Sequence, residues 1–344
     1  MKKIGILTGG GDCPGLNAAI RGVVYAAEKL GYECIGILDG WKGMIDGITV
    51  PLKKDDVEYI IMQGGTILGT SRTNPFKKEE NVKKVIDNFK KLDLYALVAM
   101  GGEDTLGVAT KLYEQYKLNV VGVPKTMDND LNVTDYTFGF DTSVTRAVDA
   151  AEALIDTGRS HKRVMVLEVM GRHAGWVALF TAIAGAADFV GLPERKIDGV
   201  RMIEKIKRVY ARKKFALVVV SEAVELIEQD DTPKEQEVDQ FGHIILKERG
   251  IGERIAKYIE KHTGIETRHA VIGHMQRGGK PTLFDRILAT RVGIKAAEMV
   301  HFGDFGKMAA LVGNEIKAVP LKDATGSLKT VSKEWFEIMD ILFD

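Results

Sequence analysis

The stretch KIGILTGGGDCPGLNAAIRGVVYAAEKL, residues 3–30, combines three patterns that together indicate the fold. A short apolar run, Lys3–Leu7, leads into consecutive glycines, and apolar residues then recur at helical spacing over Leu16–Leu30. An apolar strand, a glycine loop and an amphipathic helix in this order are typical of a parallel sheet covered by helices. The apolar run is too short for a signal peptide and predicts a buried strand.

The same alternation continues along the chain. Further strands are predicted at Glu33–Leu38, Ala96–Met100, Val120–Val123, Val164–Val169, Phe215–Val220 and His269–Ile272, with a helix over Asp104–Tyr116. The pattern starts again after about residue 140, and a length of 344 residues fits two α/β lobes rather than one small core. The acidic stretch Glu228–Gln240 predicts a solvated surface loop, and Trp335–Phe343 predicts a packing helix.

Charge and cysteine content exclude several classes of protein. Lys plus Arg and Asp plus Glu both number 48, so general nucleic-acid binding, which needs excess positive charge, is not expected. No stretch approaches the roughly 20 apolar residues of a membrane-spanning helix. Cys13 and Cys34 form no metal-binding or redox spacing, which favours two reduced thiols in a cytoplasmic protein.

Three predicted strands end in special loops, Gly9–Gly11, Gly101–Gly102 and Pro124. Ligands of open α/β sheets bind at the carboxyl ends of strands, so three such loops leaving one edge indicate a single site. Gly9–Gly15 lets backbone N–H groups approach a phosphate before a helix start, although a tight turn alone would have the same sequence. The loop matches neither the dinucleotide nor the P-loop pattern.

Two more loops carry charged groups. The segment GGTILGTSR, residues 64–72, ends in Arg72, which could clamp a phosphoryl group or simply be a surface arginine. In GGEDT, residues 101–105, Glu103 and Asp104 could hold Mg²⁺ together with substrate phosphates. The same two carboxylates are also favoured at a helix start, and both interpretations can hold.

The segment PKTMDND, residues 124–130, is the sharpest candidate for catalysis. Deprotonating a sugar hydroxyl requires a positioned carboxylate, which Asp128 or Asp130 could supply. Lys125, close by, could neutralise charge on a transferred phosphoryl group, whereas the bland alternative is a polar turn. Five cationic side chains that could bind a sugar phosphate lie at or just beyond predicted strand ends, namely Arg163, Arg172, Arg268, His274 and Arg277. Glu222 could bind the hydroxyls of the sugar.

Seven segments, taken together and in this order, resemble the phosphofructokinase family. The segments are GGGDCPGLNAAIRG, GGTILGTSR, GGEDT, PKTMDND, YTFGFDT, VMGRHAG and GHMQRGG, and the resemblance runs from residue 3 to about residue 312. The resemblance implies two similar three-layer lobes with mainly parallel sheets and the active site in the cleft between them. Residues 1–139 would form the phosphoryl-donor lobe, to which the chain returns around 252–300, and 140–344 the sugar-phosphate lobe. The implied reaction is phosphoryl transfer to the 1-hydroxyl of fructose 6-phosphate in glycolysis.

The resemblance also implies residue roles. Asp128 resembles the general base, with Thr126 and Asp130 beside the reacting groups. The implied catalytic set is Asp128, Lys125, Asp104, Arg72, Thr126 and Arg172; the donor contacts are Gly11, Arg72, Asp104 and Lys125; and Glu103 is the implied ligand of Mg²⁺. The implied sugar-phosphate contacts are Thr126, Asp128, Asp130, Met170, Gly171, Arg172, Glu222, Arg163, Arg268, His274 and Arg277. Arg163 and Arg268 would come from a neighbouring subunit, which implies a homodimer or homotetramer with shared active sites.

Two departures from the ATP-using members bear on the donor. Those members typically have glycine where this chain has Asp104 and Lys125. Asp104 would fill the space of the α-phosphate of ATP and repel it, and Lys125 would reach a shorter donor. We therefore predict pyrophosphate, with ATP as the alternative. Lipid and NAD kinases share a GGEDT-like loop but lack PKTMDND and HMQRGG, and a non-catalytic sugar-phosphate sensor would be expected to lack Asp128.

Overall fold

The computed structural model describes residues 1–227 and 250–343, which divide into two compact units. The first unit comprises Met1–Met127, Leu131–Thr142 and Arg277–Leu328, and the second comprises Asp128–Asp130, Ser143–Gln276 and Lys329–Asp344. The chain re-enters the first unit at Arg277, inside the predicted return segment 252–300. The acidic stretch Glu228–Gln240 lies outside the described residues. The assignment of donor and sugar phosphate to separate lobes stays a prediction.

The secondary structure of the described residues alternates between strands and helices. The strands are β1 (Lys3–Thr8), β2 (Glu33–Ile37), β3 (Thr49–Leu52), β4 (Leu94–Gly101), β5 (Val120–Pro124), β6 (Val164–Val169), β7 (Phe189–Gly191), β8 (Ile197–Asp198), β9 (Ala216–Ser221), β10 (Leu226–Ile227), β11 (Thr267–Val271), β12 (Lys307–Val312) and β13 (Glu315–Pro320). The helices are α1 (Leu16–Lys29), α2 (Trp41–Asp46), α3 (Lys54–Val57), α4 (Glu79–Lys91), α5 (Glu103–Tyr116), α6 (Phe140–His161), α7 (Trp176–Ala184), α8 (Gly199–Lys213), α9 (Ile251–Thr263), α10 (Leu283–Phe302), α11 (Leu321–Thr325) and α12 (Lys333–Phe343). Short 3₁₀ turns occupy Ile60–Met62, Pro75–Lys77 and Gly273–Arg277.

The first unit is built on a seven-stranded sheet in the order β13-β12-β5-β4-β1-β2-β3. Its five central strands are parallel, and β3 and β13 are antiparallel edges. Helices α2, α4, α5 and α11 bury their apolar faces against one side of this sheet. Helices α1 and α10 pack against each other and contact the central strands. The unit therefore has a helix–sheet–helix construction.

Two glycines permit the close packing of α1 against α10. A Cβ atom on Gly22 would lie 2.6 Å from the carbonyl oxygen of Thr290, and one on Gly293 would lie 2.3 Å from that of Ala19. Both contacts are with backbone, which cannot move aside as a side chain can. Glycine at both positions is therefore required for this approach of the two helices.

The second unit contains a four-stranded parallel sheet in the order β11-β6-β9-β7 and a two-stranded sheet of β8 and β10. Helices α8 and α9 cover one face of the larger sheet through a core that includes Ile206, Ile255 and Val218. Helix α7 contacts β7 and β9. The predicted mainly parallel α/β construction is confirmed in both units, although the two sheets differ in size.

The predicted central strands are confirmed, with small shifts at their ends. Val164–Val169 agrees with β6 at both ends, whereas His269–Ile272 begins two residues later than β11. The strands β7, β8, β10 and β12 were not predicted, and neither were the edge strands β3 and β13. The sequences of these two edge strands, TVPL and EIKAVP, include partly exposed polar residues, and Pro51 is tolerated in β3 because that strand lies at an edge.

The two cysteines are free and buried, as predicted. Burial raises the pKa of the Cys13 and Cys34 thiols to about 12, so neither forms a reactive thiolate at neutral pH. In the part of the chain that the structure describes, no helix has the length and apolar character needed to cross a membrane.

A buried carboxylate joins the starts of α6 and α10 within the first unit. The Asp285 side chain is fully buried, and its Oδ2 accepts hydrogen bonds from the Thr142 backbone N at 2.8 Å and from Thr142 Oγ1 at 2.5 Å. Thr282, the N-cap of α10, donates from Oγ1 to Asp141 Oδ2 at 2.6 Å. Burial raises the pKa of Asp285 to about 6, against the opposing effect of the Thr142 hydrogen bonds.

Asp285→Asn should remove a pH-dependent part of the stability. A raised folded-state pKa means that this group contributes stability fully below its ordinary pKa of 3.8 and that this contribution is lost as pH rises through about 6. The unfolding free energy of the parent protein relative to Asp285→Asn should therefore fall by about 1 kcal/mol between pH 5 and pH 7. Urea denaturation followed by tryptophan fluorescence measures this unfolding free energy, and Asp87→Asn, at an exposed position, is the control. A difference that stays constant over this range would contradict the raised pKa.

Candidate active site

The three predicted strand-end loops emerge from neighbouring strands of the first unit. β5, β4 and β1 lie side by side and parallel. Gly9 N donates to Met100 O at 2.9 Å, and Lys125 N donates to Gly101 O at 3.0 Å. The sheet hydrogen bonding therefore continues into the loops, and the predicted meeting of these loops at one sheet edge is confirmed.

Lys125 lies against the first glycine loop. Its side chain is almost completely buried, with 4% exposed, and Nζ donates to Gly11 O. A Cβ atom on Gly10 would lie 3.5 Å from Lys125 Nζ. The strand end thus places an ammonium group directly beside the backbone of the loop that was predicted to bind phosphate.

Arg277 also lies at this loop. Its Nη1 donates to Asp12 O at 3.1 Å, and a Cβ atom on Gly11 would lie 2.7 Å from the same nitrogen. The guanidinium is therefore held beside the first glycine loop, within the first unit. Its predicted contact with the 6-phosphate of the sugar stays a prediction.

The second glycine-rich loop is hydrogen-bonded to the first. Gly10 N donates to Ser71 O at 3.1 Å, and Thr70 Oγ1 donates to Gly10 O at 2.6 Å. Arg72 follows directly in the chain and is exposed. Arg72 therefore leaves the backbone beside the first loop, where a donor phosphate is predicted.

Glu103 and Asp104 are the first two residues of α5, after its N-cap Gly102. Both are half-buried, and their carboxylates are favoured by the positive end of the helix dipole. Thr105 follows them and packs closely on Gly9 and Gly101. A Cβ atom added to Gly9 would lie 2.5 Å from Thr105 Oγ1, and one added to Gly101 would lie 2.3 Å from Thr105 Cβ. The glycines at these positions let the acidic helix start pack tightly against the strand ends.

The turn Asp128–Asp130 belongs to the second unit. Asp128 and Asp130 are half-buried, whereas Asn129 between them is 3% exposed and has a left-handed φ of 52°. Thr126, in the first unit, accepts through its carbonyl oxygen a hydrogen bond from Thr137 Oγ1 at 2.6 Å. The Thr137 hydroxyl thus holds the backbone just before the turn that carries the predicted base.

Met170, Gly171 and Arg172 follow β6 and are held by neighbouring strand ends of the second unit. Glu222 N donates to Val169 O at 2.9 Å, and Ser221 Oγ donates to Gly171 O. Gly171 has a φ of 138°, and a Cβ atom there would meet Ala174 O at 2.9 Å. Glu222 and the Met170–Arg172 segment are therefore adjacent at the carboxyl edge of this sheet, as predicted for residues that share a ligand.

Arg163 and Arg268 lie at the opposite end of β6. Arg163 directly precedes the strand, and Arg268 pairs in register with Met165. Met170 directly follows the strand, so about seven residues at ~3.3 Å each, roughly 20 Å, separate the two ends. Within one chain, these two arginines cannot contact a ligand held by Met170–Arg172.

The same two arginines converge on Glu266. Arg163 Nε lies 2.7 Å from Glu266 Oε2, and Arg268 Nη2 lies 2.5 Å from Glu266 Oε1. The hydrogen bond from Arg163 lowers the pKa of Glu266, and the charge of Arg268 acts in the same direction. His274, by contrast, follows β11 and is exposed on the 3₁₀ turn Gly273–Arg277.

Comparison with known proteins connects these loops to one family. Residues 3–300 match the family described as phosphofructokinase. The chain is 49% identical over 342 residues to the pyrophosphate--fructose 6-phosphate 1-phosphotransferase of Streptomyces coelicolor, covering 99% of both chains. The enzyme of the same name from Dictyoglomus thermophilum is 49% identical over 345 residues, again with 99% of both covered.

This chain belongs to the phosphofructokinase family. Within the family it is also similar to the ATP-dependent 6-phosphofructokinase 2 of Streptomyces coelicolor, 44% identical over 343 residues, covering 99% of this chain and 100% of that one. The fold matches the solved structure of the pyrophosphate-dependent phosphofructokinase of Marinobacter aquaeolei with a TM-score of 0.83 and 22% identity, covering 100% of this chain and 92% of that one. Family membership was predicted from the order of the sequence segments and is confirmed.

Asn17 is a structural contributor to this phosphofructokinase site that was not predicted. It is 1% exposed on α1, and its Nδ2 donates to Gln63 O and Gly64 O, both at 3.2 Å. Its Oδ1 accepts from Ile67 N at 2.8 Å. A single amide thus fixes the start of the second glycine-rich loop, and the only sequence signal was a polar residue on an otherwise apolar helix face.

Gln276 plays a similar part beside β6 in the second unit. It is fully buried, its Oε1 accepts from Met170 N at 2.8 Å, and its Nε2 donates to Ser143 Oγ at 3.0 Å. The backbone of Met170 is thereby fixed by a residue 106 positions away in sequence. Its presence within GHMQRGG was a signal, but the sequence does not identify the partner.

Proposed function

We propose that the chain transfers a phosphoryl group from pyrophosphate to the 1-hydroxyl of fructose 6-phosphate, giving fructose 1,6-bisphosphate and phosphate in a reversible glycolytic reaction. The observation that carries the proposal is the buried Lys125 ammonium beside the Gly10–Gly11 backbone, with Asp104 at the start of α5 on the same edge. The names of relatives 46–49% identical over nearly the whole chain support the same donor. Two free, buried thiols support a cytoplasmic location.

Asp128 is the proposed general base that takes the proton of the 1-hydroxyl, because a carboxylate positioned at a reacting hydroxyl serves this role. Thr126 and Asp130 are the proposed contacts to the reacting groups. Arg72, Lys125 and Arg172 are the proposed cations that stabilise charge on the transferred phosphoryl group, and little other chemistry is required of the protein. Met170, Gly171 and Glu222 are the proposed sugar contacts.

The proposed metal is Mg²⁺, with Glu103 as its carboxylate ligand. Within residues 1–227 and 250–343, no group of three or more His, Cys, Asp or Glu is placed to hold a metal. Mg²⁺ commonly keeps its waters and binds one or two carboxylates together with substrate phosphates, so a single carboxylate at the start of α5 fits an ion that arrives with pyrophosphate. When bound, Mg²⁺ neutralises phosphate charge.

The choice of donor rests on electrostatics and space at two positions. A carboxylate ~4 Å from a phosphate oxygen is repelled by about 4 kcal/mol at an effective dielectric constant of about 20. Asp104 would impose this cost on the α-phosphate of ATP, whereas pyrophosphate has no such group. Lys125 offsets the charge of the shorter donor. Relatives named ATP-dependent at 43–46% identity make ATP the alternative.

We further propose a homodimer or homotetramer in which Arg163 and Arg268 of one subunit bind the 6-phosphate in the site of a neighbour. The support is the distance along β6, since these arginines and the Met170–Arg172 segment lie at opposite ends of one strand. His274 and Arg277 are the proposed 6-phosphate contacts from the subunit that carries the base.

Purified protein with Mg²⁺ and fructose 6-phosphate should turn over with pyrophosphate far faster than with ATP in an aldolase-coupled assay. Faster turnover with ATP would make the protein an ATP-dependent enzyme.

Asp128→Asn should lower kcat by about 1,000-fold, because the base is lost while the side-chain shape is kept. Sugar-phosphate binding, measured by calorimetry, should change little, and Asp87→Asn is the control. Full activity of Asp128→Asn would refute the role of the base.

The double variant Asp104→Gly/Lys125→Gly should shift the donor preference towards ATP. We expect kcat/KM for pyrophosphate to fall by about 100-fold or more and that for ATP to rise, because a repulsion of several kcal/mol is removed. Asp93→Gly/Lys117→Gly removes the same two charges at exposed positions whose φ values of 53° and 56° suit glycine, and should leave the preference unchanged. An unaltered donor ratio in the first variant would contradict the assignment.

Coexpression of two inactive variants tests the shared sites. Asp128→Asn and Arg268→Ala should each be nearly inactive alone, whereas mixed oligomers should regain up to about half of the parent activity, because one of the two sites of a mixed pair has both residues intact. Separate affinity tags on the two chains allow the mixed species to be purified and assayed. Mixed oligomers without recovered activity would place Asp128 and Arg268 in the site of the same subunit.

A further inference from the structure

The turn Asp128–Asp130 is hydrogen-bonded to a residue near the end of the chain. Lys329 N donates to Asp130 O at 2.8 Å, and Lys329 Nζ donates to Asn129 Oδ1 at 3.0 Å. One lysine therefore holds two consecutive residues of the turn, through its backbone and its side chain. All of these residues belong to the second unit.

The conformation of this turn makes such support important. Asn129 has a φ of 52°, a left-handed conformation that asparagine adopts more readily than most residues but that still costs free energy. Its side chain is 3% exposed, so the bond from the Lys329 ammonium satisfies a buried carbonyl. Because Asn129 separates Asp128 from Asp130, its conformation sets the direction in which both carboxylates leave the backbone.

Lys329 is itself fixed by α7. Trp176 Nε1, at the start of that helix, donates to Lys329 O at 2.9 Å, and the Lys329 ammonium lies 5.8 Å from the centroid of the Trp176 ring. A cation at this distance from an indole face is attracted by the ring. The lysine is thus held at its carbonyl, its amide and its ammonium.

The residues after Lys329 anchor it further. Val331 N donates to Glu194 Oε1 at 3.0 Å, and the same carboxylate oxygen accepts from Gly175 N at 2.9 Å. Trp335 on α12 stacks obliquely on Phe180 of α7 with ring centroids 4.9 Å apart. These contacts give the segment 329–343 a rigid base from which Lys329 reaches the turn.

We propose that Lys329 is a positioning residue of the reaction, which holds the Asp128–Asp130 turn in its working conformation through Asn129 Oδ1 and Asp130 O. The inference rests on the proposed role of Asp128. Lys329 acts on the carboxylates through the turn, so its loss misplaces the base.

Lys329→Met keeps the length and apolar stem of the side chain and removes the ammonium. We expect kcat to fall by about 10- to 100-fold with pyrophosphate, because a misplacement of about 1 Å at a reacting group has effects of this size. The KM for pyrophosphate should stay unchanged. Lys333→Met is the matched control, since Lys333 lies on the same segment with its side chain 91% exposed, and it should behave as the parent protein.

Hydrogen exchange of peptides covering residues 124–135 measures the turn without relying on activity. Lys329→Met should speed exchange of the turn amides, and Lys333→Met should not. Unchanged exchange in Lys329→Met would overturn the proposal whatever happens to kcat. Faster exchange with an unchanged kcat would overturn it as well, whereas lack of pyrophosphate turnover by the parent protein would count against the proposed function alone.

A double-mutant cycle identifies the route of the effect. Asn129→Gly removes the amide and accepts the left-handed φ. If the ammonium acts through Asn129, the double variant Asn129→Gly/Lys329→Met should be no slower than the slower single variant. Losses of kcat that multiply would show that the Lys329 ammonium acts by another route and would overturn the assignment.

Discussion

The parallel ladder of β1, β4 and β5 is the constraint on which the candidate site of the first unit depends. These strands pair in register up to Thr8 with Met100 and Gly101 with Pro124, so their carboxyl ends reach the same edge. Because parallel strands all run in one direction, every loop at this edge precedes or approaches a helix start. The glycine loop, the acidic start of α5 and Lys125 are therefore brought together by backbone hydrogen bonding.

This dependence explains how much of the fold could be predicted. The central strands that were predicted are buried on both faces, so their sequences are nearly continuous apolar runs. β12 was not predicted, although it lies inside the sheet and is largely buried. The edges β3 and β13 carry exposed residues and give no such signal. Residues at strand ends, such as Lys125, Asp128 and Arg172, could be predicted because their position follows from the local strand-to-loop pattern.

Partners distant in sequence could not be predicted. Asn17, Gln276 and Lys329 each use one side chain to hold a loop that is 46 or more positions away. Asn17 and Gln276 lie within short motifs, but the motifs do not predict which groups the two side-chain amides bind. Lys329 lies outside the region of family resemblance identified in the sequence, and its contact with Asn129 arises only because α7 and α12 bring the end of the chain to the turn.

The pairing of Arg163 and Arg268 with Glu266 is compatible with a second role for both arginines. The side chains of these residues are 28–54% exposed, and exposed ion pairs contribute only about 0–1 kcal/mol to stability. A phosphate could therefore bind either guanidinium at little cost in free energy. When no phosphate is bound, Glu266 keeps both side chains extended and oriented. Since β6 separates these arginines from the proposed sugar contacts of their own chain, a sugar phosphate that uses both groups requires a second copy of the chain. Activity would then depend on assembly, and the neutral net charge of the chain lowers the long-range repulsion that would oppose it.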